Sequence, residues 1–250
     1  MNRGTNLLSI IVNYWPTIAT FGRDLNGTNF IMLFDPATRK VLYKHNLTDI
    51  THNRFGGFQD LEHDPDNNVY IVGTFPSSIL RVDSKGKKIE TWYLNDKPIL
   101  NATNGGFTGL SATGWTLLAS DRGTGKLNRL DMRSRRGTPQ VIPVTPPYTI
   151  ENPDAIQLPP KYKGIVLLVA ELFKGVSVFR DKKGKWEKAE YLGIVPWTDP
   201  IIVVTAVVQV GDAIYMNLLP FGPGEGGGAG NETRFLYYDI TAKVDALLRA

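Results

Sequence analysis

A unit of about 48 residues recurs along the chain, and no other feature restricts the fold so tightly. Each copy is an apolar stretch closed by an aspartate and followed by a polar turn. The copies are Ile31-Met32-Leu33-Phe34-Asp35, Ile79-Leu80-Arg81-Val82-Asp83, Leu127-Asn128-Arg129-Leu130-Asp131, Val176-Ser177-Val178-Phe179-Arg180-Asp181 and Phe235-Leu236-Tyr237-Tyr238-Asp239. The aspartates lie 48, 48, 50 and 58 residues apart, and the last interval carries a Gly-rich insertion, Gly222 to Gly230. Because they recur at one place in the unit, these aspartates read as turn formers whose side chains bond the local backbone.

Further short strands fill each unit. A β-rich run precedes the aspartate strand at Val69 to Val72, Thr116 to Ala119, Ile165 to Ala170 and Ala213 to Leu218. Ahead of it lies a segment opening on a polar residue: Gln59 to His63, Thr108 to Ala112, Asp154 to Leu158 and Thr205 to Gln209. A fourth strand follows the aspartate turn, as at Ile89 to Leu94 and Trp186 to Leu192. Four short strands per unit, parted by Gly, Pro, Asn and Asp, describe the blade of a β-propeller. Only Ile240 to Arg249 reads as helical, so parallel βαβ architecture is excluded. The expectation is an all-β chain forming one domain, residues 1–250, with blades at about 7–50, 55–97, 104–146, 152–194 and 201–245. The first unit lacks its innermost strand, and 48 times six exceeds the length, so five repeats of a six-bladed type are expected.

Composition narrows the chemistry. With 42% hydrophobic and 21% charged residues the chain is an ordinary globular one. Cysteine is absent, which excludes disulfides, thiolate metal sites and thiol nucleophiles. Of three histidines, His52 and His63 read as surface or turn residues. The charge of +4 gathers at Lys85 to Lys88 and Arg133 to Arg136, both in turns, which reads as solvated surface and not as a nucleic-acid stripe. No apolar run approaches the roughly 20 residues of a membrane helix. Sequons at Asn26, Asn46, Asn101 and Asn231 suggest a glycoprotein of the secretory pathway, with a cytoplasmic location as the alternative.

Aligning the repeats sets Gln59, Thr108, Asp154 and Thr205 at equivalent starts of the innermost strand. The loops between second and third strands bring Tyr14, Trp15, Phe75, Arg122, Glu171, Asn217 and Phe221 toward the same mouth, and a blade connection adds Trp197. Aromatic walls with a few hydrogen-bonding groups are the usual makeup of a small-molecule site. The glycines of the insertion lack the Lys-Ser/Thr of a phosphate loop and read as a mobile flap.

The stretch Phe58-Gln59-Asp60-Leu61-Glu62-His63-Asp64-Pro65-Asp66-Asn67-Asn68-Val69-Tyr70 resembles the blade signature of SMP-30/gluconolactonase-like propellers. Phe55 to Glu62 together with Val72 to Leu80 is similar to a fungal branch of that superfamily. That branch contains trichothecene-cluster propeller proteins and the hetero-Diels–Alderases of tropolonic sesquiterpene pathways. The lactonases hold a divalent metal on carboxylates and Asn/Asp at the inner-strand starts. Here those positions give one carboxylate, Asp154, whereas a hard cation wants several. No metal is therefore expected, although the missing first inner strand leaves room for one further ligand. With neither metal nor a Ser/His pairing signature, hydrolysis loses its usual nucleophiles. The resemblance then implies a cofactor-independent ring closure on a hydrophobic terpenoid or polyketide-terpenoid. In this reading Tyr14, Trp15, Phe75 and Trp197 shape the substrate, Arg122, Thr108 and Gln59 polarise its carbonyl, and Asp154 is the acid or base. A metal-dependent lactonase or esterase and a non-catalytic ligand-binding propeller are the alternatives. Oligomeric state is not legible.

Overall fold

The structure, a computed structural model, describes residues 5–95, 105–199, 201–220 and 233–249. Phe221, the Gly222 to Gly230 insertion and the sequon asparagines Asn101 and Asn231 lie outside them. The first sheet comprises β1 (Leu8–Val12), β2 (Phe30–Asp35) and β3 (Lys40–Asn46), with α1 (Trp15–Ala19) between the first two. After α2 (Leu47–Thr51) comes the second sheet: β4 (Gly56–His63), β5 (Val69–Phe75), β6 (Ser78–Val82) and β7 (Ile89–Leu94). The third holds β8 (Phe107–Thr113), β9 (Thr116–Asp121), β10 (Lys126–Asp131) and the two-residue β11 (Gln140–Val141). In the fourth, β12 (Val144–Thr145) lies parallel to β16 (Ala189–Pro196), outside the meander begun by β13 (Pro153–Gln157), β14 (Val166–Glu171) and β15 (Gly175–Arg180). The fifth holds β17 (Ile202–Val210), β18 (Ala213–Pro220) and β19 (Leu236–Asp239), followed by α3 (Thr241–Arg249).

Small antiparallel meanders, one per repeat, make this a β-propeller; the described residues form five blades, one for each of the five repeats, and a sixth is not among them. The repeat aspartates do what their recurrence suggested. Each accepts the backbone N–H two residues on: Asp35 from Ala37, Asp83 from Lys85, Asp131 from Arg133, Asp181 from Lys183 and Asp239 from Thr241, at 2.8–3.0 Å.

Several local expectations are corrected. α1 and α2 were not foreseen; Pro16 sits in the first turn of one, and the Asn46 side chain caps the other by accepting Thr48 N at 3.0 Å. The helix expected over Ile240 to Arg249 is present as α3, which follows β19 directly. Trp186, expected to open a strand, instead stands in the turn before β16 with φ +56°, wholly buried, its indole N–H on Gly164 O at 2.9 Å.

The chain divides into two compact units: Met1–Thr108 with Asp131–Thr138, and Gly109–Leu130 with Pro139–Ala250. Ile31, Leu47, Phe58, Ile71 and Leu80 form core in the first. In the second, β14 is apolar at every position from Val166 to Ala170 because both of its faces are covered. Val166, Leu168 and Ala170 pack with Val178, Ile214 and Met216, while Leu167 and Val169 pack with Leu118, Ile156 and Phe179. No helix among the described residues is long and apolar enough to cross a membrane.

Candidate functional site

Of the residues aligned at the inner-strand starts, Thr108 and Asp154 stand next to the first residue of their strands, while Gln59 and Thr205 lie further inside theirs. Gln59, Asp154 and Thr205 each fall at a β-bulge. Gln59 is the extra residue between the pairs Phe58–Gly73 and Asp60–Val72. Thr205 is the extra residue between Val204–Leu218 and Ala206–Asn217. Asp154 falls in the shifted interval between Pro153–Glu171 and Ile156–Val169. A bulge re-aims a side chain out of the period-2 alternation, and bulges recur beside active sites.

In the second unit the bulge of β13 gathers a polar group. Asp154 is half-buried, and burial of its carboxyl pushes it up to about 7 against the opposing pull of the Arg122 guanidinium. Arg122, in the turn after β9, is itself half-buried; burial lowers it from its ordinary value while Asp154 sustains it. Its Nη2 donates to Asn152 Oδ1 at 3.3 Å. Its neighbour Asp121 is occupied by Gly123 N and the Thr124 hydroxyl. Backbone bonds set β17 alongside: Leu172 N donates to Asn152 O at 3.2 Å, and Val204 N to Leu172 O at 3.0 Å. Thr205 follows immediately, and Asn217 pairs with the next residue, Ala206. Asp154, Arg122, Asn152 and Thr205 thus belong to one row of adjoining segments.

Gly109 lets β8 reach this row. A Cβ there would stand 2.5 Å from Asp154 O and 2.7 Å from Ile156 N, so only glycine admits the bulge. Ser120 Oγ completes the junction, accepting from Gly109 N at 3.1 Å and donating to Asp154 O at 3.3 Å.

Glu171 sits differently from expectation. It is wholly buried, with Oε1 accepting from Tyr148 OH at 2.8 Å and from Ser177 Oγ, and Oε2 accepting from Glu151 N at 2.6 Å. A carboxylate so enclosed faces the protein, not a substrate. Trp197 packs against the second unit's core and lies 5.9 Å from the Tyr238 ring, its N–H on Ile202 O at 2.7 Å.

Among the first-unit candidates, Gln59 is exposed and its amide donates to Thr74 Oγ1 at 2.5 Å; that hydroxyl donates to Phe107 O at 2.8 Å. Thr108 is buried. Two expected wall residues are packing groups. Cβ atoms on Gly22 or Gly57 would come within 2.4 and 2.7 Å of the Phe75 side chain, and one on Gly27 within 1.8 Å of the Tyr14 ring. Tyr14 OH also donates to Asp24 at 3.2 Å. Trp15, opening α1, is 43% exposed and remains free to meet a ligand.

A Ser/His pair escaped the sequence reading: Ser9 Oγ lies 2.9 Å from His63 Nε2. His63 is not a surface residue; burial pulls its imidazole down to about 4, which makes it a poor base at neutral pH. Only the packing of β1 against the second sheet's β4, distant in sequence, could have revealed it.

The divalent metal implied by the lactonase resemblance does not fit the bulge row. Its one carboxylate, Asp154, has a guanidinium as neighbour, and Thr205 and Asn152 add only neutral oxygens. Among the described residues no three His, Asp or Glu side chains gather as metal ligands.

No protein-family model matches the chain. Over 249 residues it is 32% identical to trichothecene biosynthesis protein 14 of Trichoderma arundinaceum, covering 97% of this chain and 68% of that protein. Over 247 residues it is 30% identical to core trichothecene cluster protein 14 of Fusarium sporotrichioides, covering 96% and 65%. The chain spans about two thirds of the length of these relatives. The crystal structure of the major Malassezia sympodialis allergen Mala s 1 superposes with a TM-score of 0.70 over 94% of this chain and 73% of that one, at 17% identity, a likeness of fold alone.

Proposed function

The chain belongs to the trichothecene biosynthesis protein 14 family, and on that premise we propose that it serves fungal secondary metabolism as a cofactor-independent cyclisation enzyme. Its substrate is a hydrophobic terpenoid or polyketide-terpenoid, and the reaction is a hetero-Diels–Alder or related ring closure. One observation carries this reading: a half-buried carboxyl, Asp154, displayed on a β-bulge with the Arg122 guanidinium beside it.

In its protonated form Asp154 donates a hydrogen bond to the carbonyl oxygen of the heterodiene, and Arg122 faces the charge that develops there. In the closure, three π bonds become two σ bonds and one π bond. No proton, electron or co-reactant is consumed, so the acid need only lend its hydrogen and keep it. Confinement in a near-attack geometry supplies on the order of 7–11 kcal/mol, which suits a reaction needing little else.

The test is turnover, by purified protein, of a terpenoid or polyketide-terpenoid that carries the heterodiene and its alkene partner before ring closure. Asp154→Ala and Arg122→Ala should each slow ring closure at least about tenfold with the melting temperature almost unchanged. Equal rates in both variants would leave a ligand-binding propeller as the reading. A stoichiometric divalent metal essential for turnover would leave a lactonase.

A further inference from the structure

Residues 148–152 form a strap across the second unit, and each of its anchors is defined. Tyr148 OH and Glu151 N donate to the two oxygens of Glu171, at 2.8 and 2.6 Å. Ile150 N donates to Gly125 O at 2.9 Å, and Asn152 O accepts from Leu172 N at 3.2 Å. The Tyr148 ring stacks on Tyr191, centroids 3.9 Å apart and 14° from parallel. The strap ends at Asn152, whose φ of +46° turns the chain into β13 and whose side-chain oxygen receives Arg122.

Glu171 is costly where it stands. It occupies the end of an otherwise apolar strand, wholly buried, and a buried charge adds little net stability compared with a well-packed apolar side chain. What it provides is geometry: three donors from two segments converge on one rigid carboxylate.

We propose that Glu171 is a positioning residue: by clamping the 148–152 strap it fixes Asn152, which in turn holds the Arg122 guanidinium toward Asp154. The inference rests on the reading of Asp154 and Arg122 as the reactive pair only for its relevance to turnover, and its geometry stands apart from that. The charged groups on the elements around Asp154 include Asp121 at the end of β9, occupied by its own turn, Arg122 in the turn that follows, Glu151 on the strap, Glu171 on β14, and Lys174 in the next turn, which pairs with Glu151 at 2.5 Å. Of these, Arg122 is the one that draws Asp154 downward. Loosening the strap therefore lets the Asp154 carboxyl titrate higher.

The experiment follows the carboxyl carbon of Asp154 by NMR against pH, in the full chain without any substrate. Asn152→Gly keeps the positive φ and deletes the acceptor, so the Asp154 midpoint should rise by about half a unit or more. Tyr148→Phe removes one donor from the clamp and should move it the same way by less. Arg122→Ala sets the ceiling, and adding Asn152→Gly to it should produce no further shift. The proposal is overturned if Asn152→Gly leaves the midpoint in place while Arg122→Ala moves it. It is equally overturned if Tyr148→Phe lowers the melting temperature without touching the midpoint, since that is a structural role only. An Asp154 midpoint indifferent to Arg122→Ala removes the coupling altogether. Turnover of the same variants separates the two ideas: a shifted titration with unchanged ring closure sinks the cyclase reading and leaves the positioning network standing.

Discussion

At Asp154 two opposing effects meet, and their balance decides the chemistry the residue can perform. Burial disfavours the carboxylate and Arg122 favours it; burial wins, leaving a group that titrates at about 7. An acid working by hydrogen-bond donation must be protonated, so ring closure should slow as pH rises through about 7. Asp154→Asn distinguishes donation from proton transfer. The amide retains a donor but does not titrate, so this variant should keep part of the rate that Asp154→Ala loses, and its pH profile should be flat in that window. Rate against pH for the three proteins is the measurement. An Asn variant as slow as the Ala variant would show that the proton itself moves. Glu171, one strand away, illustrates the contrary case, a carboxylate whose lone pairs are committed to Tyr148, Ser177 and Glu151.

Among the elements, the inner strands hold three aligned candidates at bulges, and this is where sequence and structure part company. The repeat aligned Gln59, Asp154 and Thr205 correctly, because equivalent residues fall at equivalent bulges. It set Gln59 and Thr205 at strand starts although both lie further inside, because an extra residue inside a strand breaks the alternation that marks strand continuity. The aspartate turns were legible, since each uses only residues adjacent in the chain. The packing of Tyr14 and Phe75 against glycines was not legible, because those glycines come from separate segments. Asn152 was missed for a similar reason: its contact with Arg122 spans 30 residues. Gly109 belongs to the same class, an unremarked glycine whose meaning is the close approach of β8 to the β13 bulge. Gly109→Ala forces a Cβ to 2.5 Å from Asp154 O, and because backbone must move, it should destabilise by about 1–3 kcal/mol. Chemical denaturation checks the size, and the Asp154 midpoint checks whether the bulge has shifted. An alanine variant of unchanged stability would mean that β8 does not press on β13.

Across the whole molecule, Asp154 and a set of hydrogen-bonded surface aspartates give stability opposite pH dependences. The Thr38 hydroxyl at Asp35, the Arg133 guanidinium at Asp131 and the Thr241 hydroxyl at Asp239 hold those carboxyls below their ordinary value. At Asp83 desolvation opposes, but the N–H groups of Lys85, Lys87 and Lys88 prevail. At Asp245 desolvation likewise yields to Lys161 and Tyr162, at 2.8 and 2.7 Å, which fasten α3 to the second unit. A lowered carboxyl contributes stability above its unfolded pKa, near 3.9, and loses it as pH falls through the folded value. Asp154 has the reverse sign. Its raised value means stability is full below about 3.9 and is lost as pH climbs through about 7, where the buried group must ionise. The melting temperature should therefore peak in the mildly acidic range, falling on the acid side through the turn aspartates and on the neutral side through Asp154. Asp154→Asn should abolish the neutral-side decline and leave the acid side unchanged. Melting curves from about pH 3 to 9 measure both limbs. If the wild type holds its stability through neutrality, or the Asn variant declines in parallel with it, Asp154 is not the buried titrating group on which the acid role depends.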